Sequence, residues 1–251
     1  MKLLNRQYLL SFFIILSTSS SYLYSEDNTD FELPRINDSE QIINHNYYTL
    51  SYNENHEQAN WVAYKITIAN ITGSYARKNN FRIDPKVSTG SSTLSDYKGS
   101  GFDRGHLAPA ADMKISKTAM SESFYMSNIS PQNPSFNRGI WKKLEELVRS
   151  WVVDGKTIYI ATGPILEKDL PYIGKNVSIP NHYYKVILDY SDEKAIGFIL
   201  PNKKSNKDLM NYAVSIDIVE KLTGINFFDN LPDKIEEKIE SELNIQSWYF
   251  D

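Results

Sequence analysis

Apolar residues along this chain recur with two periods, and each marks a different kind of element. The run Trp61-Val62-Ala63-Tyr64-Lys65-Ile66-Thr67-Ile68 is rich in aromatic and β-branched residues, which predicts a strand over 61–71. Similar runs predict strands over 156–165 and, as a hairpin turning near Ser191-Asp192-Glu193-Lys194, over 183–201. A short apolar strand is expected at 225–228, and another extended stretch around Gly101–Ala110. In contrast, Ile140, Trp141, Leu144, Leu147, Val148 and Trp151 are spaced by three and four residues, the mark of a helix with one buried stripe. A later helix begins near Ser215 and ends where Gly224 supplies a C-terminal cap. Residues 26–60 read as polar and irregular. From 61 to 251 no linker composition or repeat interrupts the pattern, so one domain is expected. Its class is α+β, with a central, mainly antiparallel sheet flanked by helices.

The N-terminus departs from this pattern. Lys2 and Arg6 precede the apolar run Tyr8–Leu16, a serine-rich stretch follows, and Glu26 and Asp27 come next, which predicts a signal peptide over 1–25 cleaved between Ser20 and Ser25. The apolar run is shorter than the about 20 residues needed to span a bilayer. The expectation is a periplasmic or secreted protein with no membrane association after cleavage. The chain has no cysteine, so neither disulfide nor thioether lipid contributes, and stability must come from the core.

Charge adds a local asymmetry. The formal net charge of −4 argues against a general polycation, yet between Tyr97 and Trp151 eight Lys and Arg outnumber five Asp and Glu. That stretch suits a polyanion. From Asp229 to Asp251 seven acids face two lysines, and after Pro232 this segment reads as a solvated acidic helix.

The chemistry concentrates at Gly101-Phe102-Asp103-Arg104-Gly105-His106-Leu107-Ala108-Pro109-Ala110. An imidazole with an ordinary pKa of about 6.5 can take a proton from water at neutral pH, making His106 a candidate general base. Arg104, two residues earlier, projects from the same face of an extended strand and can hold a phosphate. Asp103 is expected to orient Arg104 or the turn, because a carboxylate facing phosphate would oppose binding. The combination points to phosphodiester hydrolysis. Downstream, Asn137, Trp141, Glu145 and Arg149 drift slowly around one side of the predicted helix and can border one cleft. Glu145 and Arg149 can also pair at i,i+4. His45 and His56 have no metal-ligand spacing and read as surface residues, and His182 as a packing residue.

Two blocks, Asp103-Arg104-Gly105-His106 and Tyr125-Met126-Ser127-Asn128-Ile129-Ser130-Pro131-Gln132 continuing through Phe136-Asn137-Arg138-Gly139-Ile140-Trp141 to Arg149, resemble the DNA/RNA non-specific endonucleases, the ββα-metal nucleases that include endonuclease G. The resemblance spans about Trp61 to Phe228 and extends to Ala161-Thr162-Gly163-Pro164 and Ile179–Val186. It implies a ββα-metal nuclease fold and a magnesium-dependent endonuclease of little sequence specificity that cuts DNA and RNA and leaves 5′ phosphates, with Mn2+ a candidate substitute. It implies Asn137 as the metal ligand, which suits a hard cation that keeps most of its waters. Glu145 would act through water on the metal, with Arg149 supporting the same network. Asn128 stands where the family has a second asparagine near the site, and it equally fits a role tying down the loop toward Pro131. The family also uses an upstream arginine on the scissile phosphate. Arg77 and Arg82 both remain open, and the resemblance favours Arg82, just before Asp84-Pro85. Dimers occur among relatives, so a homodimer and a protein inhibitor join DNA and RNA as candidate partners. A silent nucleic-acid-binding protein on this fold would not need the complete Arg104, His106, Asn137, Glu145 set.

Overall fold

A computed structural model describes residues 30–153 and 155–250. The signal peptide expected over 1–25 lies outside the described residues. In chain order the elements begin with strands β1 (Gln41–Asn44), β2 (Thr49–Asn53) and β3 (Gln58–Ile66), then helices α1 (Ile68–Thr72) and α2 (Leu94–Tyr97). Strand β4 (Asp103–His106), helix α3 (Lys117–Glu122), strand β5 (Ile129–Gln132) and helix α4 (Lys142–Ser150) follow. Next are β6 (Ile158–Pro164), the small hairpin β7 (Tyr172–Ile173) and β8 (Val177–Ser178), then β9 (His182–Asp189) and β10 (Lys194–Pro201). The chain closes with β11 (Ala213–Val214), α5 (Ile216–Thr223) and α6 (Asp233–Ser241).

Seven strands form one sheet in the order β1-β2-β3-β6-β9-β10-β11, and every pairing within it is antiparallel. Both faces are covered. Leu50, Val62, Tyr64, Ile160 and Ile187 point to the side where α4 packs through Leu144, Leu147 and Val148. Trp61, Ala63, Ala161, Val186 and Leu188 point to the other, against Val219 of α5 and Ile239 of α6. Successive side chains of a strand alternate between faces, so strands buried on both sides read as nearly continuous apolar runs. The α+β class and the helix-flanked antiparallel sheet are as expected.

Three local expectations are corrected. The segment read as polar and irregular holds β1 and β2, because Ile43, Leu50 and Tyr52 enter the core, and even Ser51 between the last two is buried. The strand expected to run to residue 71 stops at Ile66, where Thr67 and Asn70 form a capping box that starts α1. Residues 225–228 form no strand. Phe227 and Phe228 are fully buried there as anchors of an irregular segment, with Phe228 in the left-handed region at φ 56°. The hairpin between β9 and β10 turns where expected, with Glu193 left-handed, and Gly224 caps α5 at φ 73°.

Candidate active site

Strands β4 and β5 pair in antiparallel register, with Gly105 opposite Ser130 and His106 opposite Ile129. A widened turn over Phe136–Trp141, broken at Gly139, then leads into α4. Close approach dictates the glycine inside β4, since a Cβ on Gly105 would lie 2.2 Å from the buried Gln132 side chain. The extended backbone puts Arg104 and His106 on one side, where both meet Phe81: the Arg104 guanidinium lies 4.3 Å from its ring centre and the His106 ring 5.4 Å. Phe124 supports His106 edge-on at 4.9 Å and carries Arg77 at 5.0 Å. Two phenylalanines thus form a floor for two cations and one imidazole.

His106 is 8% exposed, and its Nε2 is buried without a hydrogen-bond partner. Nδ1 is the nitrogen left to meet water. Burial and the nearby charges of Arg77 and Arg104 push the imidazole pKa down to about 3 in the free protein; the ring is therefore neutral, and a phosphate anion set against the two guanidiniums would offset their charge and raise the basicity toward the range a general base needs. This depression has a stability consequence. The unfolded chain takes up a proton near pH 6.5 and the folded ring does not, so stability present above that pH is lost as pH falls toward the folded value. Denaturant midpoints at pH 7 and pH 5 are expected to show wild type losing ~2 kcal/mol more than His106→Phe. Equal losses in the two proteins would contradict this reading of the site.

The upstream arginine favoured from sequence does not reach this floor. Arg82 donates to the Ser121 carbonyl at 2.7 Å and its Oγ at 3.1 Å, and stacks 3.9 Å over Tyr125. Those contacts hold it against the end of α3. Arg77 occupies the cleft instead, with its Nε bound to Asn79 and its charge acting on both His106 and Glu145.

Asp103 also departs from expectation. Rather than bonding Arg104 or the turn, its carboxylate accepts a bidentate pair from Arg138 at 2.8 and 2.6 Å and a bond from the Asn137 amide nitrogen at 2.9 Å. Arg138 and the amide hold its carboxyl below the ordinary range. With its nitrogen fixed, Asn137 has a carbonyl oxygen without a hydrogen bond among the described residues. A neutral oxygen beside an open cleft suits a hard divalent cation. That cleft, of about 690 Å³, is lined by Arg77, Phe81, Asp103, Arg104, Asn137 and Arg138 among others. A larger groove of about 830 Å³ lies on the other side of α4 and includes none of these residues.

Glu145 and Arg149 do not pair as their spacing predicts. Arg149 reaches across to Asp112 at 2.8 Å, and Tyr64 donates to the same carboxylate at 3.3 Å. A buried carboxylate offers Arg149 more than a half-exposed one on its own helix. Glu145 is half-buried and has no hydrogen bond among the described residues. Lys185 of β9 is 1% exposed and stands 5.1 Å from the Trp141 ring centre and 3.5 Å from the Tyr64 hydroxyl. Burial pushes the Glu145 carboxyl up and the Lys185 ammonium down, while their mutual attraction opposes both shifts. Lys185, Asp112 and Tyr64 join the site without having been expected from the sequence. The available signal was a lysine inside the apolar run of β9.

Asn128 is fully buried. It accepts from the Ala108 amide and donates to the carbonyls of Ala108 and Ser123, all at 2.9 Å. It therefore braces the exit of β4 against α3, not the loop toward Pro131. The surface assignment of two histidines is also corrected. The His45 side chain is buried between Tyr48 and Tyr125 and bonds Asp84 at 2.8 Å, and His56 is half-buried on Ser178. Neither borders the cleft.

Comparison with known proteins identifies the arrangement. The family model for DNA/RNA non-specific endonuclease matches residues 31–234. Nuclease C1 of Cunninghamella echinulata var. echinulata is 41% identical over 204 residues, covering 73% of this chain and 81% of the relative. A nuclease of Nostoc sp. is 37% identical, covering 79% of this chain and 77% of its own. The crystal structure of an EndoG/EndoGI complex superposes with a TM-score of 0.73 at 30% identity, covering 82% of this chain and 91% of the matched one. The fold is that of the ββα-metal nucleases, and the protein is a hydrolase acting on nucleic acid. With a match over most of its described length, the chain belongs to the DNA/RNA non-specific endonuclease family.

Proposed function

We propose that this protein is an exported, magnesium-dependent endonuclease that cuts DNA and RNA internally, with little sequence preference, and leaves 5′ phosphates. The observation that carries the reading is the shared floor of Phe81 and Phe124, which sets a neutral imidazole beside two guanidinium cations. His106 takes a proton from the attacking water through Nδ1. Arg104 and Arg77 hold the scissile phosphate and offset the charge that builds on it. Contacts to the backbone carry no base information, which fits low specificity.

Asn137 would hold the ion through its unpaired carbonyl oxygen, with Asp103 fixing the amide and Glu145 steadying the surrounding water. When bound, the divalent cation supplies stabilisation of the phosphoryl oxygens and the departing 3′ oxygen. Arg149 and Lys185 set the charge around Glu145 and act as positioning residues. Export is supported by the charged start, short apolar run and serine-rich stretch of the N-terminus, and it would keep the activity away from the host's own nucleic acid. A protein inhibitor as partner is supported by the similarity to EndoG in its complex with EndoGI.

The choice between the two arginines is testable. Arg77→Ala is expected to lower kcat/KM by about 10- to 100-fold, the worth of one charged hydrogen bond to phosphate. Arg82→Ala is expected to lower the melting temperature with little change in kcat/KM. Steady-state cleavage of a short duplex alongside melting curves decides it, and the opposite pattern would restore Arg82 to the site.

A further inference from the structure

On the sheet face opposite α4, three carboxylates meet between α5 and α6. Oxygens of Asp217, Glu220 and Glu240 lie within 4.8 Å of one another. Two oxygens on opposite sides of a calcium ion, with bonds of 2.3–2.6 Å, stand about 4.6–5.2 Å apart, so one ion can touch all three. Asp217 and Glu220 are three residues apart on one helical face, and Glu240 comes from the last turn of α6.

Glu240 makes the cluster more than an exposed acidic patch. It is 6% exposed, and its Oε1 is buried with no hydrogen-bond partner. Glu220 spends one oxygen on the Phe227 amide at 2.7 Å and has no further hydrogen bond among the described residues. No Lys or Arg forms a salt bridge with any of the three among the described residues. Elsewhere the protein treats paired acids differently: Asp189 and Asp192 are bridged by Lys156 and Lys194 at 2.7–3.8 Å. Burial, with the nearby charges of Glu220, Glu236, Asp217 and Asp229, pushes the Glu240 carboxyl up to about 9. The negative end of the α6 dipole adds to the same repulsion.

We propose that Asp217, Glu220 and Glu240 form a calcium site that clamps α6 onto α5, separate from the nucleolytic cleft. Three hard oxygen donors, one of them at the surface and open to completing waters, match calcium better than magnesium, which keeps its own octahedral water shell. The ion would replace the mutual repulsion with shared attraction, and it binds the folded arrangement alone because the two helices supply different ligands.

The test is thermal melting of EDTA-stripped protein, without nucleic acid, before and after millimolar CaCl2 at constant ionic strength. Wild type is expected to gain ~5 °C in Tm with calcium. Asn137→Ala, altered only in the cleft, is expected to keep the gain, and Glu240→Gln to lose it. Should Glu240→Gln melt without cooperativity, Asp217→Asn, at an exposed position, is expected to fold and to lose most of the gain. No calcium-dependent shift in wild type would overturn the proposal. So would a shift that survives Glu240→Gln or Asp217→Asn, or one that disappears in Asn137→Ala.

Discussion

Replacing His106 with alanine is expected to lower kcat by about two to four orders of magnitude, the range associated with losing a general base. Substrate binding is expected to persist, because Arg77 and Arg104 rest on Phe81 and Phe124 and not on the imidazole for their position. The loss should therefore fall on kcat and leave KM nearly unchanged. Removal of a buried, unpaired imidazole nitrogen also relieves an unsatisfied polar atom, so the variant should melt no more than a few degrees from wild type despite the cavity. Single-turnover cleavage of a labelled duplex measures the chemical step directly. Turnover near that of wild type would defeat His106 as the base.

Asn137→Ala is expected to raise the magnesium concentration for half-maximal activity by about 10- to 100-fold or more, with partial recovery at excess metal. Asp103 gives this prediction its sharper form. Its carboxylate fixes the Asn137 amide and pairs with Arg138, so Asp103→Ala should move the metal requirement in the same direction by freeing the amide to rotate. Activity titrated with MgCl2 across the three proteins reads both effects. An Asn137→Ala deficit of equal size at every magnesium concentration would assign the residue a structural part instead.

Short-range features were legible in the sequence because local geometry decides them. Two-residue spacing put Arg104 and His106 on one side of β4, and the apolar stripe of Leu144, Leu147 and Val148 marked α4. What escaped depends on contacts between distant segments. Glu145 and Arg149 have the spacing of an ion pair, yet Asp112, from a turn after β4, captures Arg149. Arg77 and Arg82 are nearly equivalent in sequence. They separate because Ser121 and Tyr125 offer Arg82 a carbonyl and a ring, while Phe124 presents its ring to Arg77. His45 sits in a polar run and gains its burial only where β1 meets the loop carrying Asp84 and the segment holding Tyr125. Lys185 reads as a strand residue until Trp141 and Tyr64 close over it. The shape of the helix before α4 was likewise hidden, since the break at Gly139 shifts Asn137 off the regular turn that sequence spacing assumed.

The most direct test of the account is incubation of the purified protein with closed-circular plasmid and, separately, with RNA, each with MgCl2 or EDTA and each beside His106→Ala. Nicked and then linear plasmid and shortened RNA are expected in magnesium alone, with neither product in EDTA or from the variant. Binding of both polymers without cutting under every condition, or cutting that persists in EDTA or in His106→Ala, would contradict it.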